Sequence, residues 1–297
     1  MQPARETEAR LHHLISQGYM LRFSPDGKRV HIFDQITGKF RFSKPKNVAA
    51  QIDFYTMKTK DGESKRWIES RLAEVDAAVG IFDKLERGEE ITREERFRVA
   101  AFAGFADSRG SGFRSATPPL SARHNPEDDA EFLPHFAEAL SAMTDVHLEP
   151  WVVKNIVLDD VAHLAEGFDE NSVMIAHGME LSMQLFWSQW FVAVAMEGAT
   201  FITSDRPIGL ITRAGASGDD AYDATTFRLL PLSPRAALFI GRPSEDPSIE
   251  HLTFNSVGVR GANIAVARRA DRNLIASSEE ALRAILPVLK AGAASAL

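Results

Sequence analysis

The sequence predicts an α+β fold in which a mostly antiparallel sheet, drawn from both ends of the chain, packs against a helical middle. Short apolar or alternating runs typical of strands fall within residues 20–56 and 187–277, whereas apolar residues recur at helical spacing within residues 63–185. Strands on both sides of a helical block indicate α+β organisation rather than regular alternation of strand and helix. Residues 1–297 are expected to form one domain, with a C-terminal helix at 278–291.

Two turn signals divide the N-terminal strands into a meander. Ser24-Pro-Asp-Gly27 precedes Arg29–Asp34, whose apolar and polar residues alternate as in a half-buried strand. Ile36-Thr-Gly38 then separates that strand from Lys39–Phe42. A β-hairpin is therefore expected here.

The helical middle begins with an amphipathic pattern from Glu63 to Glu86, and Gly88 provides a stop signal. A capping box that starts at Thr92 opens a second helix to about Ser108, and Gly104 near its end would permit close packing. Weaker helical patterns follow at residues 131–143, 152–165 and 172–185.

The C-terminal third is predicted to be rich in strands. Phe186–Ala195 indicates a buried strand, and Met196–Ala199 a turn that returns the chain into Phe201–Ile202, forming a hairpin over residues 187–204. Further strands are expected at residues 226–230, 236–240, 264–267 and 273–277. Ser277 opens the capping motif of the final helix, whose buried side is expected to carry Leu282, Ile285 and Val288.

Composition excludes several classes of site and disfavours others. The chain has no cysteine, which removes disulfides, thiolate nucleophiles and cysteine-ligated zinc or iron–sulfur centres. A net charge of -7 disfavours long nucleic acids as partners. No segment approaches the run of about 20 apolar residues that spans a bilayer, so no membrane association and a cytoplasmic location are expected. The sequence also lacks a phosphate-binding Walker loop and a Gly-x-Ser-x-Gly elbow.

The best candidate for a functional site is the polar cluster Thr203-Ser204-Asp205. It ends an apolar strand, and Pro207 cannot donate to a strand ladder, so pairing should stop near Asp205 at the margin of a sheet. A carboxylate beside a hydroxyl can orient a base, bind a metal ion or accept hydrogen bonds from a substrate. Asp205 can equally well cap the turn that follows it, and the two interpretations stay open.

Acidic residues and a histidine elsewhere could complete a catalytic site. His13 could transfer a proton near neutral pH, or could simply pack against the sheet. Glu69, Asp76 and Asp205 could together hold magnesium or manganese, because these ions take oxygen ligands; acidic residues on a helix are more often its solvated face. The expected catalytic set is His13, Glu69, Ser204 and Asp205.

Two arginines and a tyrosine are the candidates for substrate binding. Arg109 near the end of a predicted helix and Arg114 beyond a glycine-rich break could bind phosphate or carboxylate. Arg109 could instead cap helical carbonyl groups or form a structural ion pair. The hydroxyl of Tyr19 could donate to a ligand or be satisfied within the core.

Short motifs follow one another along nearly the whole chain. They start with His13, Tyr19, Met20 and Phe23 and continue with Lys46-Asn47-Val48, Asp53-Phe54-Tyr55, Glu69, Asp76, Arg109, Arg114, Phe201-x-x-Ser204-Asp205-x-Pro207, Pro231-Leu-Ser-Pro234 and Asn255. Their joint order resembles a bacterial family catalogued as domain of unknown function 4238. In that family a proline and a leucine usually stand where this chain has Ser16 and Met20. The resemblance implies family membership and fold, and it carries no reaction.

Two functional hypotheses follow from these residues. The leading one is a hydrolase of the nuclease or phosphodiesterase type, in a toxin or phage-defence role, acting on a phosphorylated small molecule or a short RNA. The alternative is a non-catalytic ligand- or protein-binding module in which the same polar residues hold the sheet margin together. Convergence of His13, Arg109 and Asp205 on one open pocket would favour the hydrolase, and a closed, fully paired network would favour the module.

Overall fold

A computed structural model of the chain describes residues 11–48, 50–52, 57–58, 64–65, 75–109, 170–212 and 225–289. The helices and strands up to residue 109 are β1 (Leu11–His13), α1 (Gln17–Leu21), β2 (Val30–Asp34), β3 (Lys39–Ser43), β4 (Ala50–Ile52), β5 (Met57–Lys58), β6 (Ser64–Lys65), α2 (Phe82–Arg87) and α3 (Arg93–Ser108). Those from residue 170 onward are α4 (Glu170–Phe186), β7 (Ser188–Ala195), β8 (Thr203–Ser204), β9 (Gly209–Thr212), β10 (Thr225–Pro231), β11 (Ala236–Pro243), β12 (Ile249–Phe254), α5 (Ser256–Arg269), β13 (Asn273–Ala276) and α6 (Glu279–Arg283).

A four-stranded antiparallel sheet joins the two ends of the chain. Its strand order is β3-β2-β13-β8, so strand β2 from the N-terminal part pairs directly with β13 from the C-terminal part. Asn273 lies opposite Asp34, and Leu274 lies opposite Ser204 on the other side. This sheet confirms the predicted α+β fold with antiparallel strands from both termini. It also places the polar cluster of β8 at a sheet edge.

A second sheet is built only from the C-terminal third, in the order β12-β7-β11-β10-β9. Its neighbours are antiparallel except β12 and β7, which run parallel. Because side chains alternate along a strand, the sheet has two apolar faces. Val192 and Leu238 pack with helices α3 and α4, whereas Ala193 and Phe239 pack with helix α5. Both faces are therefore covered by helices.

Local sequence signals place two elements where they were predicted. The hairpin of β2 and β3 turns at Gly38, whose φ of 68° is a left-handed conformation that glycine adopts without strain. Helix α3 begins with the predicted capping box: the Thr92 hydroxyl accepts from Glu95 N at 3.1 Å, and Thr92 N donates to the Glu95 carboxylate at 2.9 Å. The helix ends at Ser108, also as predicted.

Helices α3 and α4 approach each other closely at a glycine, as the sequence predicted for Gly104. A β-carbon on Gly104 would lie 2.7 Å from the carbonyl oxygen of Gly178 and 2.8 Å from the backbone nitrogen of Ser182. Both atoms belong to the backbone of α4 and cannot rotate aside. The absence of a side chain at residue 104 therefore sets the distance between the two helices.

Several predicted elements differ from the structure. The hairpin over residues 187–204 is wrong, because β7 pairs with β11 and β12, whereas β8 pairs with β13. The helix predicted from Glu63 to Glu86 is wrong at Ser64–Lys65, which form β6, and at Ala77–Ile81, which form a 3-10 turn before α2. Val75 and Asp76 are helical, and residues 66–74 lie outside the described residues. The helices predicted at 131–143 and 152–165 lie outside the described residues.

The strand predicted at residues 264–267 lies within helix α5. A short apolar run is compatible with either a buried strand or a buried helix, so the pattern alone could not decide. The helix begins after Asn255, whose side-chain oxygen accepts from the backbone nitrogens of Val257 and Gly258 at 3.1 and 3.0 Å. Helix α6 is capped by Ser278 rather than Ser277 and ends at Arg283. The helix predicted at 278–291 is therefore interrupted, because residues 284–285 form a turn before residues 286–289 become helical again. In the described parts of the chain, no helix has the length and apolar character needed to cross a bilayer.

Candidate functional site

A buried tyrosine hydroxyl joins three of the segments that carry sequence motifs. Tyr19 in α1 is fully buried, and its hydroxyl donates to the carbonyl oxygen of Pro231 at 2.7 Å. Because a tyrosine has one hydroxyl proton, the Thr203 hydroxyl 2.8 Å away donates to the tyrosine oxygen. Tyr19 thus ties helix α1 to the end of β10 and to β8.

The ring of Tyr19 sits among aromatic side chains. Its centroid is 5.6, 6.2 and 5.3 Å from the rings of Phe23, Phe82 and Phe102. Burial raises the pKa of the Tyr19 hydroxyl above its ordinary value, and the hydrogen bond from Thr203 opposes this rise only in part. The hydroxyl is neutral, and it donates its single proton to the carbonyl oxygen of Pro231. In this arrangement the hydroxyl cannot also donate a hydrogen bond to a ligand.

Replacing Tyr19 by phenylalanine should lower the free energy of unfolding by about 1–3 kcal/mol, because the Pro231 carbonyl and the Thr203 hydroxyl stay buried and lose their partner. Equilibrium unfolding in urea measures the loss. Adding Thr203→Val to this variant should recover part of it, since one unsatisfied group is then removed. Equal stability of Tyr19→Phe and the wild-type chain would contradict this account of the hydroxyl.

Ser204 holds the turn that follows β8. Its hydroxyl donates to the carbonyl oxygen of Arg206 at 2.6 Å and accepts from the backbone nitrogen of the same residue at 3.2 Å. The side chain is fully buried. Ser204 therefore performs the local turn-capping role that the sequence left open for Asp205.

Asp205 caps a different loop, the one that leads into β13. Its carboxylate accepts from the backbone nitrogens of Asp271, Arg272 and Asn273, at 3.0, 3.1 and 2.7 Å, and from the side-chain nitrogen of Asn273 at 3.1 Å. Burial raises the pKa of Asp205 to about 6, and the backbone donors of Asn273 and Arg272 act in the opposite direction. The carboxylate is 5% exposed and surrounded by donors from one loop.

The same loop is fixed to the β2–β3 turn by an ion pair. Arg272 donates from Nε and Nη2 to one oxygen of Asp34, at 2.9 and 2.7 Å. The other oxygen of Asp34 accepts from the backbone nitrogens of Ile36 and Thr37. These contacts hold the pKa of Asp34 well below its usual range, chiefly through the hydrogen bonds from Arg272. Asp34 and Asp205 together anchor the four-stranded antiparallel sheet.

Arg109 is the residue directly after α3, and its guanidinium is incompletely bonded. The residue is 3% exposed, and Nη1 donates to an oxygen of Asp76 at 3.0 Å. Its Nε and Nη2 atoms are buried, and neither has a hydrogen-bond partner among the described residues. These two N–H groups lie on the same edge of the guanidinium, the edge that binds a carboxylate or phosphate through two parallel hydrogen bonds.

Further arginines gather around the end of α3. Asp107, in the last turn of the helix, has one oxygen 2.5 Å from Arg269 Nη1 and 3.9 Å from Arg206 Nη2. Arg269 also donates to the carbonyl oxygen of Ile208 at 2.9 Å. Asp107 was absent from the predicted site, although a single acid after the apolar stretch from Val99 to Ala106 was a signal that could have indicated it.

The contacts described above involve most of the predicted site residues. Tyr19 reaches β8, which contains Ser204 and precedes Asp205, whereas Arg109 pairs with Asp76. His13 lies on β1 opposite Ala50, with its side chain half-buried. Glu69 and Arg114 lie outside the described residues. The expected convergence of His13, Arg109 and Asp205 on one pocket stays a prediction.

The contacts of Asp76 and Asp205 bear on the expected magnesium or manganese site. Both carboxylates accept hydrogen bonds from nitrogen donors: Asp76 from Arg109, and Asp205 from the loop before β13. In the part of the chain that the structure describes, no group of three or more acidic or histidine residues is arranged to hold a metal ion. A magnesium or manganese cofactor therefore stays a hypothesis that depends on Glu69.

Comparison with known proteins identifies one relationship. The family model described as "Protein of unknown function (DUF4238)" matches residues 11–280. Comparisons with curated proteins and with solved structures gave no match.

Proposed function

Since the chain belongs to the DUF4238 family, whose description assigns no reaction, we propose from the site itself that it is a binding module for a ligand with a phosphate or carboxylate group. The observation that carries this proposal is the buried, half-bonded guanidinium of Arg109. A buried N–H group without a partner costs about 1–3 kcal/mol, more when it is charged. An anion that reaches the free edge of Arg109 removes that cost.

Other guanidinium groups lie near the end of α3, the helix that Arg109 follows. Arg269 and Arg206 are 2.5 and 3.9 Å from one oxygen of Asp107, in the last turn of that helix. Arg109 itself pairs with Asp76. A small phosphorylated molecule is the ligand class that best matches the bidentate edge of Arg109.

The contacts of the polar cluster on β8 support binding rather than catalysis. A nucleophile or a general base needs a free hydroxyl or a free oxygen directed at substrate. The hydroxyl of Ser204 is bonded to the backbone of Arg206, and the carboxylate of Asp205 to the loop before β13. Both side chains hold the edge of the four-stranded sheet, an arrangement that supports the proposal of a binding module.

Substitution of Arg109 tests this proposal. Phosphate, carboxylate-bearing metabolites and nucleotides should raise the midpoint of thermal unfolding of the wild-type chain, and Arg109→Lys should weaken binding of the best ligand by about tenfold or more, because lysine lacks two parallel N–H groups. Thermal shift selects the ligand and calorimetry measures its dissociation constant. Arg98→Lys is the matched control, because Arg98 lies on α3, the helix that Arg109 follows, and pairs with Glu94 at the surface. Equal binding by Arg109→Lys and the wild-type chain would reject this role.

A hydrolase of the nuclease or phosphodiesterase type, in a toxin or phage-defence role in the cytoplasm, is the second candidate. The observation in its favour is the pKa of Asp205, which burial raises to about 6, within the range of a group that transfers protons near neutral pH. RNA, DNA and nucleotides, each with and without Mg²⁺ or Mn²⁺, form the assay panel. If Asp205 acts as a base, turnover should rise through about pH 6 as the carboxyl loses its proton, and Asp205→Asn should abolish it. No turnover of any of these substrates rejects this candidate.

A further inference from the structure

An apolar groove lies between helix α5 and the five-stranded sheet. Its volume is about 650 Å³, within the range of small-molecule sites. Every strand of the sheet contributes to it, from β12 at one edge to β9 at the other. Four steps between neighbouring strands give the groove a length of roughly 19 Å.

The floor of the groove contains a cluster of four phenylalanine rings. The centroids of Phe254 and Phe239 are 5.0 Å apart, those of Phe239 and Phe227 6.4 Å, and those of Phe227 and Phe191 5.7 Å. Phe239 is buried, whereas the other three rings are only half-buried, and Leu252 beside them is 40% exposed. Large apolar side chains that stay partly exposed in a concave site are the usual lining of a binding pocket.

Small residues form much of the wall that α5 contributes to the groove. Gly258, Gly261, Ala262 and Ala265 follow one another at helical spacing, and Ile264 lines the groove as well. A β-carbon on Gly261 would have no atom within 4 Å, so the space beside this glycine is open. The groove can therefore accept added atoms at Gly261.

A positive charge stands at one end of the groove. Arg268 and Arg269 are the last two residues of α5, and both line the groove. Arg269 is already paired with Asp107. Arg268 is exposed, and it forms no ion pair with any described residue. An apolar site that ends at an uncompensated guanidinium matches a molecule with an apolar body and an anionic head.

We propose that this groove binds a long-chain carboxylate, with the chain over the phenylalanine rings and the carboxylate at Arg268. The apolar floor, which extends over all five strands, and the exposed guanidinium beside it favour an acyl chain over a compact polar ligand. The groove lies on the face of the sheet opposite to helices α3 and α4. It approaches the end of α3 at Arg269, which lines the groove and pairs with Asp107.

Binding of cis-parinaric acid, a fluorescent long-chain carboxylate, tests the proposal. The full chain should bind it saturably at one site, below the concentration at which the acid forms micelles, and its uncharged methyl ester should bind more weakly. Gly261→Trp should raise the dissociation constant by about tenfold or more, because the indole fills the groove. Arg268→Glu should weaken binding of the acid by about tenfold through charge repulsion, with little effect on the ester.

Two variants control for these changes. Gly80→Trp introduces the same side chain at an exposed glycine that also has no atom within 4 Å of a β-carbon. Arg260→Glu makes the same charge reversal on helix α5, outside the groove. Both should bind cis-parinaric acid like the wild-type chain.

Three outcomes would overturn the proposal. The first is an absence of saturable binding by the wild-type chain, and the second is unchanged affinity in Gly261→Trp. The third is a wild-type dimer in light scattering that Gly261→Trp converts to a monomer, since the groove would then be the interface with a second copy of the chain.

Discussion

Replacing Asp205 by alanine should lower the free energy of unfolding by about 3 kcal/mol or more, the largest effect expected of any polar side chain described here. The change removes the acceptor of three backbone N–H groups, those of Asp271, Arg272 and Asn273, and the last of these residues is buried. Asp205→Asn should cost less, because it keeps the volume and one oxygen. Equilibrium unfolding in urea measures both, and the slope of the transition shows whether the unfolded state has changed as well.

Asp246→Ala is the control for this experiment. Asp246 is exposed, and its carboxylate makes no contact with the described residues, so its loss should change stability by less than about 0.5 kcal/mol. A large loss in Asp205→Ala with ligand binding preserved would support the binding module. Unchanged stability together with lost turnover would instead support the hydrolase, because catalytic residues are often dispensable for folding.

Replacing Gly104 by valine should destabilise the chain by about 3 kcal/mol or more, because the added atoms overlap the backbone of the neighbouring helix. The β-carbon alone would lie within 2.8 Å of three atoms of α4, two of which belong to the backbone. Helices α3 and α4 would have to move apart, and the apolar residues between them would lose contacts. Gly104→Ala should show a smaller loss of the same sign.

Gly80→Ala is the matched comparison for the smaller change. A β-carbon on Gly80 meets no atom within 4 Å, so alanine there should be neutral or stabilise the chain by about 0.4–1 kcal/mol through the unfolded state. Opposite signs at the two glycines, measured by urea unfolding, would identify close helix contact as the cause. Equal effects would show that the helices can separate without cost.

Elements with a local cause could be predicted from the sequence. The turn at Gly38 needs a left-handed residue, and the start of α3 needs the reciprocal hydrogen bonds of Thr92 and Glu95. In both cases the residues that decide the structure lie within a few positions of one another. The fold class followed for the same reason, because it depends on where strands and helices occur and not on how they pair.

Pairing over long distances could not be predicted. The expected partner of β7 was the next strand in sequence, whereas its neighbours are β11 and β12. The sequence singled out Asp205 correctly as a residue at a strand end, but its donors lie at least 66 residues away in the chain. The partner of Arg109 is Asp76, 33 residues before it. Such contacts depend on the packing of the whole chain and leave no mark in a short stretch of sequence.

The position of β13 between β2 and β8 has a consequence for the order of folding. The β2–β3 hairpin is synthesised early, whereas β13, which pairs with β2, is synthesised much later. Asp34 at the end of β2 and Arg272 just before β13 are 238 positions apart in the chain. Before β13 is in place, one edge of β2 has no partner strand. Unpaired strand edges can form hydrogen bonds with other chains and so promote aggregation. Closing so long a loop is slow, because its entropy is lost before any contact forms. We expect refolding to be slow and concentration-dependent, with the yield set by how long the edge of β2 stays open.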